Sequence, residues 1–407
     1  MNSQEWMSWI EAFFNELEVY EDINNSCNYK QNLLDAIKTF LAESNEKNAE
    51  HVYFSFFDAY WIGDKKDNPF LELIKSVNQY EQTAGSLIKN HRDHYYHTVY
   101  VFLIGLIFYQ NCDYIQKVFN DYIHKSKYTD YYTTKHEEFL YRWGITSLFH
   151  DVAYPLEITI KQLNEYYNYS VSYGEKSMPK KFLDIGGLDL YKAQHSFTIP
   201  EQYKEEFAKK YKNIIDLDVS DSCSLLAMDI ARDLSLEKDI LCNILSNYDQ
   251  KISDGIIDHA YFGALICLKW HSVLINKSIW NPAYFYFPIL DSASSIFLHN
   301  AYEHCIMKEL RTNIKLDIIE KPIAFLLCLS DSLQEWNRKL YGKNTGRCEF
   351  FTAYFNFNKL DNKILIKYLV SEKENAKNIY NDIAKKLNLD NMPHLEISYK
   401  QVIKESV

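Results

Sequence analysis

The sequence predicts a mainly α-helical protein with a small α+β unit at its C-terminus, and three observations carry that prediction. Only 11 Gly and 8 Pro in 407 residues leave too few turn-formers for a β-sandwich or barrel. Apolar residues recur at three- and four-residue spacing over most of the chain, as in helices with one buried face. After about residue 345 the period changes to two, the alternation of a half-buried strand. A hydrophobic content of 47% with 33 Tyr and 24 Phe excludes disordered and collagen-like classes.

Residues 1–75 read as an N-terminal helical lobe. Trp6, Ile10, Phe13 and Phe14 share one helical face, with Ser3 placed to cap it, and Leu33, Ile37 and Leu41 share another. No grouping of polar residues there suggests chemistry. Residues 76–344 form the main helical domain, with apolar helical segments at 92–124, 136–153, 221–245, 257–275, 287–309 and 319–341. An insertion at about 154–220 separates the second from the third. It reads as a structure-poor connection, either a lid over a site, an inserted subdomain or a solvated loop. Residues 345–407 form the small unit. FTAYFNFNKLDNKILIKYLV is a hairpin around Asp361-Asn362, SEKENAKNIYNDIAKKLNL a helix and HLEISYKQVI a further strand, together ββαβ.

The formal net charge of −11 opposes an extended nucleic-acid or anionic membrane surface. Eight cysteines without a CxxC pair suit buried thiols in a reducing compartment, and the N-terminus MNSQEWMSWIEAFF lacks the pattern of a signal peptide. The longest apolar run, Val99 to Tyr109, is too short to span a bilayer. The expectation is a cytoplasmic protein; the sequence leaves a homo-oligomer open.

Chemistry gathers at the edges of the apolar helices. His150-Asp151 ends one such run, in YRWGITSLFHDVAYPLE. A short-stemmed polar pair there costs several kcal/mol, on the order of a lost buried hydrogen bond or more, unless satisfied. A divalent cation satisfies it, because imidazole nitrogen and carboxylate oxygen both ligate first-row ions. His94 and His97 lie three apart, on a helix face that continues through Val101, Ile104 and Phe108. His259 precedes Gly263 by four residues, where a missing side chain permits close helix approach. His299 stands one turn after Ile296, and Asp331 follows the run Ile323 to Leu329. Any one of these alone reads as a buried, hydrogen-bonded histidine or a capping aspartate. Together they ask for a common partner.

The order His97, His150-Asp151, His259, His299, Asp331 resembles the HD superfamily of metal-dependent phosphohydrolases and phosphodiesterases, in its extended two-metal form, over roughly residues 85–340. The resemblance implies an all-helical HD-type core. It implies that His97, His150, Asp151 and Asp331 ligate a first ion and that Asp151 bridges to a second held by His259 and His299. His94 then falls to a general acid or phosphate contact, with Asp151 and His94 as the catalytic pair. Two divalent cations per chain, of Mn, Fe, Ni, Mg or Zn, would activate a hydroxide and neutralise phosphoryl oxygens. The implied reaction is hydrolysis of a phosphate ester or anhydride, with a small phosphorylated substrate such as a nucleotide as partner. Arg92, Lys176, Lys180, Lys181 and Arg338 are candidate phosphate contacts; Arg142 is either a sixth or a structural ion pair. Tyr95, Tyr96, Tyr154 and Trp336 adjoin the ligands and could stack on a base.

After His150-Asp151 the chain reads Val-Ala-Tyr-Pro-Leu-Glu. That differs from the HDxxH of deoxynucleotide triphosphohydrolases, the HDxxED of alarmone hydrolases and the HDxGK of cyclic-di-nucleotide esterases and mixed-valent di-iron oxygenases, so no substrate carries over from those branches. Two alternatives stand beside hydrolysis: a catalytically silent metal- or nucleotide-binding regulator, and a di-iron oxygenase on the same scaffold. No phosphate loop, dinucleotide fingerprint, nucleophile elbow or HExxH motif is present.

Overall fold

The structure is a computed structural model; it describes residues 3–17, 21–22, 27–60, 62, 69–84, 91–125, 135–172, 201–211, 219, 221–253, 258–277, 282–301, 315–336, 340–341, 350–371 and 378–402. The fold is mainly α with a small C-terminal strand unit, as the composition requires. In chain order, α1 (Ser3–Asn15) precedes the short antiparallel pair β1 (Glu21–Asp22) and β2 (Cys27–Asn28), then α2 (Tyr29–Ala42), α3 (Glu46–Ala59) and α4 (Pro69–Ala84). After β3 (His91–Arg92) come α5 (Tyr95–Asn111), α6 (Asp113–Lys125), α7 (Lys135–Phe149), α8 (Tyr154–Ser172) and α9 (Glu201–Tyr211). Next are α10 (Ser222–Asp233), α11 (Lys238–Ser253), α12 (His259–Lys277), a π-helical turn at Phe285–Ile289, α13 (Leu290–Ala301) and α14 (Pro322–Leu333). β4 (Leu340–Tyr341) pairs with β3, and the chain closes with β5 (Phe350–Asn358), β6 (Lys363–Val370), α15 (Asn378–Lys386) and β7 (His394–Gln401).

Local chemistry accounts for many of the boundaries. Asn28, Asn45 and Asp221 accept the third backbone N–H of α2, α3 and α10, at 3.0, 2.9 and 2.9 Å, the expected behaviour of N-cap side chains. Pro322 opens α14, where a missing N–H costs nothing. Residues 92–124, expected as one helical segment, instead turn by 97° between α5 and α6. Side chains permit the break without Gly or Pro: Asn111 Nδ2 donates to the Ile107 carbonyl at 2.9 Å and Gln116 Nε2 to that of Tyr109 at 2.8 Å, satisfying acceptors a helix end leaves open. The segment 221–245 likewise divides at Ser235, whose φ is 52°. The stretch from 154 is not structure-poor, since α8 occupies Tyr154–Ser172 and α9 occupies Glu201–Tyr211.

The chain divides into two compact units, one of Met1–Leu148 with Lys315–Val407 and one of Phe149–Ile314. At the centre of the first lies α5, apolar on every side and buried along nearly its whole length, contacted by α1, α3, α6 and α14. Gly105 meets the face of Trp143, whose indole N–H donates to the Phe102 carbonyl at 2.8 Å. The C-terminal unit has the expected ββαβ order. β5 runs antiparallel to β6 and β7 parallel to it, and Asn362 takes the left-handed φ of 48° that the hairpin turn needs. Ile364, Ile366, Tyr368 and Val370 alternate inward. The sheet covers one side of the helices: Phe355 lies edge-on to Trp6 and Trp336 at 5.4 and 5.9 Å, and Phe357 to Trp9 and Phe108 at 5.4 and 5.6 Å. Tyr368 also donates its hydroxyl to the Leu333 carbonyl at 2.7 Å, fastening the end of α14.

In the second unit α12 packs against α8, α13 and the π-helical turn, and α10 against α11 and α13. His271 on α12 is fully buried and donates from Nδ1 to the Cys267 carbonyl at 2.8 Å. Burial pushes its pKa down from 6.5 to about 4, although the Cys267 carbonyl acts the other way. Below pH 6.5 the unfolded chain therefore takes a proton that the folded protein refuses. Its stability contribution is complete above pH 6.5 and falls as the pH drops toward 4, by about 3 kcal/mol in all. Urea midpoints of wild type and His271→Gln, compared at pH 7 and pH 4.5, should show a smaller acid loss in the variant; equal losses would contradict this. Among the described residues, no single helix is long and apolar enough to cross a membrane.

Candidate metal centre

The first unit holds two of the six predicted ligands, His97 and Asp331. His97 on the first turns of α5 is buried, and its two ring nitrogens meet two residues of the α14 end: Nε2 lies 2.8 Å from Asp331 Oδ1, and Nδ1 lies 2.5 Å from Gln334 Oε1. Gln334 in turn donates from Nε2 to the Trp336 carbonyl at 2.6 Å, which fixes its oxygen toward His97. Nδ1 of His97 therefore carries the hydrogen. In the neutral ring the Nε2 lone pair then faces a carboxylate oxygen, and a proton or a metal ion between the two acceptors satisfies both.

The second unit holds the other four, His150, Asp151, His259 and His299. α7 ends at Phe149, and a tight turn leads into α8, with Val152 N–H on the Phe149 carbonyl at 3.1 Å and Tyr154 N–H on the Asp151 carbonyl at 2.9 Å. Pro155 sits in the first turn of α8, where it breaks no helical bond. His150 and Asp151 occupy this corner, both buried, with Nε2 of His150 3.3 Å from Asp151 Oδ2. Gly263 on α12 makes room for it. A Cβ there would stand 3.4 Å from the His150 carbonyl and 3.2 Å from Ile296 Cγ2, so the glycine allows α12 to approach the corner closely.

That approach brings Asp151, His259 and His299 together, each offering a ligand atom within 4.8 Å of the others. His259 Nε2 is 3.4 Å from Asp151 Oδ1 and 3.2 Å from His299 Nε2. The other nitrogen of each ring is committed. His299 Nδ1 donates to the Ile296 carbonyl at 2.5 Å, and His259 Nδ1 to Glu157 Oε2 at 2.6 Å. Two Nε2 lone pairs thus confront one another beside a carboxylate. Either a proton or a metal ion resolves that confrontation. For the ion-free protein, burial lowers the pKa of His259, but the Glu157 hydrogen bond and the charges of Asp151, Glu157 and Asp258 outweigh it and lift the value to about 9. The imidazole and carboxylate donor set, with the second nitrogen of each ring anchored, fits a first-row divalent cation.

Of the remaining predicted residues, His94 directly precedes α5, makes no side-chain capping bond and is buried, its Nδ1 2.9 Å from Glu81 Oε1. Glu81 also accepts the backbone N–H groups of His94 and Tyr95, at 3.0 and 3.3 Å. Tyr154 places its ring edge-on to His259 at 5.5 Å. Arg142 is not a phosphate contact: it is buried within α7 and ion-paired with Glu138 one turn away. Arg92 has its backbone in β3, opposite Leu340; its side chain, and Lys176, Lys180, Lys181 and Arg338 entirely, lie outside the described residues. Sequence reading missed Gln334, Glu157 and Glu81, the outer partners of His97, His259 and His94. A second carboxylate group, Asp229, Asp233 and Asp291, already holds an internal cation, since Arg232 lies 2.5 Å from Asp229 and 2.8 Å from Asp233.

No protein-family model, curated protein or solved structure compared with the chain matches it.

Proposed function

We propose that the chain is a metal-dependent hydrolase of the HD type, cleaving a phosphate ester or anhydride of a small substrate such as a nucleotide. One observation supports the reading: with neutral rings, acceptor faces acceptor at His97–Asp331 and again at His259–His299, so each pair takes up a proton or a metal ion, and every outer ring nitrogen defined there is committed to a different acceptor. The family resemblance alone assigns His97, His150, Asp151 and Asp331 to one ion; Asp151, His259 and His299, all of the second unit, are assigned to the other. When bound, the ions supply Lewis acidity for an attacking water and screen the phosphoryl oxygens. Gln334, Ile296 and Glu157 keep the imidazoles in the Nε2-ligand form. His94, held by Glu81, is assigned the leaving-group side as proton donor or phosphate contact, and Arg92, Lys176, Lys180, Lys181 and Arg338 stay assigned to substrate phosphate. The net charge of −11 favours a small substrate over a nucleic-acid polymer.

The test is phosphate or nucleotide product release from a panel of linear and cyclic nucleotides, with the protein supplied in turn with Mn, Fe, Ni, Mg and Zn under anaerobic conditions. Metal-dependent product from at least one substrate is expected, abolished by a chelator. Tight nucleotide binding without product under any metal would replace this reading with that of a regulator. Turnover that requires oxygen would replace it with an oxygenase.

A further inference from the structure

The three predicted metal ligands with a defined Nδ1 partner are not anchored alike. His97 meets a neutral amide and His299 a backbone carbonyl, whereas His259 meets a carboxylate. Glu157 approaches His259 from α8, 102 residues away in sequence, and receives two bonds from it: the ring Nδ1 at 2.6 Å and the backbone N–H at 3.1 Å, both on Oε2. The second bond belongs to the first residue of α12, so Glu157 caps the helix that carries the ligand and orients the ligand itself. An anionic partner on Nδ1 also makes the opposite nitrogen a stronger donor than a neutral partner does. In the first turn of α8, the helix N-terminus favours the charge.

We propose that Glu157 is a positioning residue for only one of the two ions. It holds His259 as an Nε2 donor, so the ion at Asp151–His259–His299 depends on Glu157 and the ion assigned to His97, His150, Asp151 and Asp331 does not. This rests on the two-metal reading above. Neither the chain order of the ligands nor the Val-Ala-Tyr-Pro-Leu-Glu string after Asp151 assigns Glu157 a role. Glu157 also groups with Asp258 and His259 as a possible ligand, but its Oε2 takes both His259 bonds, and the role assigned to it here is to orient His259.

Mn²⁺ titration of metal-free full-length protein, followed by calorimetry and by the electron paramagnetic resonance signal of free Mn²⁺, tests the proposal on wild type, Glu157→Gln and Glu157→Ala. Wild type is expected to take two ions. Glu157→Ala should bind one with unchanged affinity and the other about 10- to 100-fold more weakly. Glu157→Gln, which keeps an acceptor for Nδ1 but loses the charge, should fall between. Nitrogen-15 shifts of the histidine rings should show Nδ1 of His259 losing its fixed hydrogen in Glu157→Ala, a change that mere loss of packing does not produce. Two unaltered sites in both variants would overturn the role of Glu157 and leave the two-metal reading standing. Equal weakening of both sites would overturn its selectivity. A wild type that binds no Mn²⁺ would overturn the two-metal reading itself.

Discussion

Asp151→Ala should abolish turnover while the helical circular dichroism signal stays at the wild-type level. Asp151 is the one ligand that the proposal assigns to both ions, and its two carboxylate oxygens face Nε2 of His150 and Nε2 of His259, at 3.3 and 3.4 Å. Removing it leaves His150, His259 and His299 without the carboxylate that faces their Nε2 side, while Glu157 stays spent on Nδ1 of His259. The loss is expected to be several kcal/mol of charge stabilisation, on the order of a thousandfold in rate or more. Asp151→Asn keeps the shape and discards the charge, so it should fail as badly; steady-state kinetics of both variants on the substrate found in the nucleotide screen check this. Retained turnover in either variant would remove Asp151 from the chemistry.

The largest expected effect on stability belongs to Gly105→Val. Gly105 lies on α5, and a side chain there would enter the space of the Trp143 indole. Both residues are in the core, and Trp143 is further tied by its bond to the Phe102 carbonyl. The indole cannot swing aside without breaking that bond, and α5 cannot retreat because helices pack on it from several directions. Overpacking of this kind costs about 3 kcal/mol or more. Urea denaturation should show the midpoint falling with an unchanged slope, and Gly105→Ala should show the same effect in smaller measure. A variant as stable as wild type would mean that α5 and α7 do not pack as closely as described.

The ligand types were legible in the sequence because each stands at the edge of an apolar helical run, where a polar side chain is conspicuous. His299 and Gly263 also carried their geometric reason in plain sight. The outer partners were not legible. Glu157 and Gln334 look like any polar residue of a helix, and only the folded chain brings Glu157 to His259 across 102 positions. The strands β5, β6 and β7 were readable from apolar residues at every second position, richest in β-branched and aromatic types, and from the Asp361-Asn362 turn between the first two. The break between α5 and α6 was not, because Asn111 and Gln116 perform the capping that Gly or Pro announces elsewhere. α8 was hidden by its composition: YPLEITIKQLNEYYNYSVS mixes tyrosine, asparagine and serine with few aliphatic residues, which weakens its apolar period. Arg142 was ambiguous for a different reason, since its spacing from Glu138 decides between roles only once its burial is known.

The most direct measurement is the metal content of the full-length protein purified without chelators, by elemental mass spectrometry, with a second determination after resupply of each first-row ion. The two-metal account predicts about two ions per chain in one of those preparations. A protein that comes without metal and takes up none on resupply would contradict it.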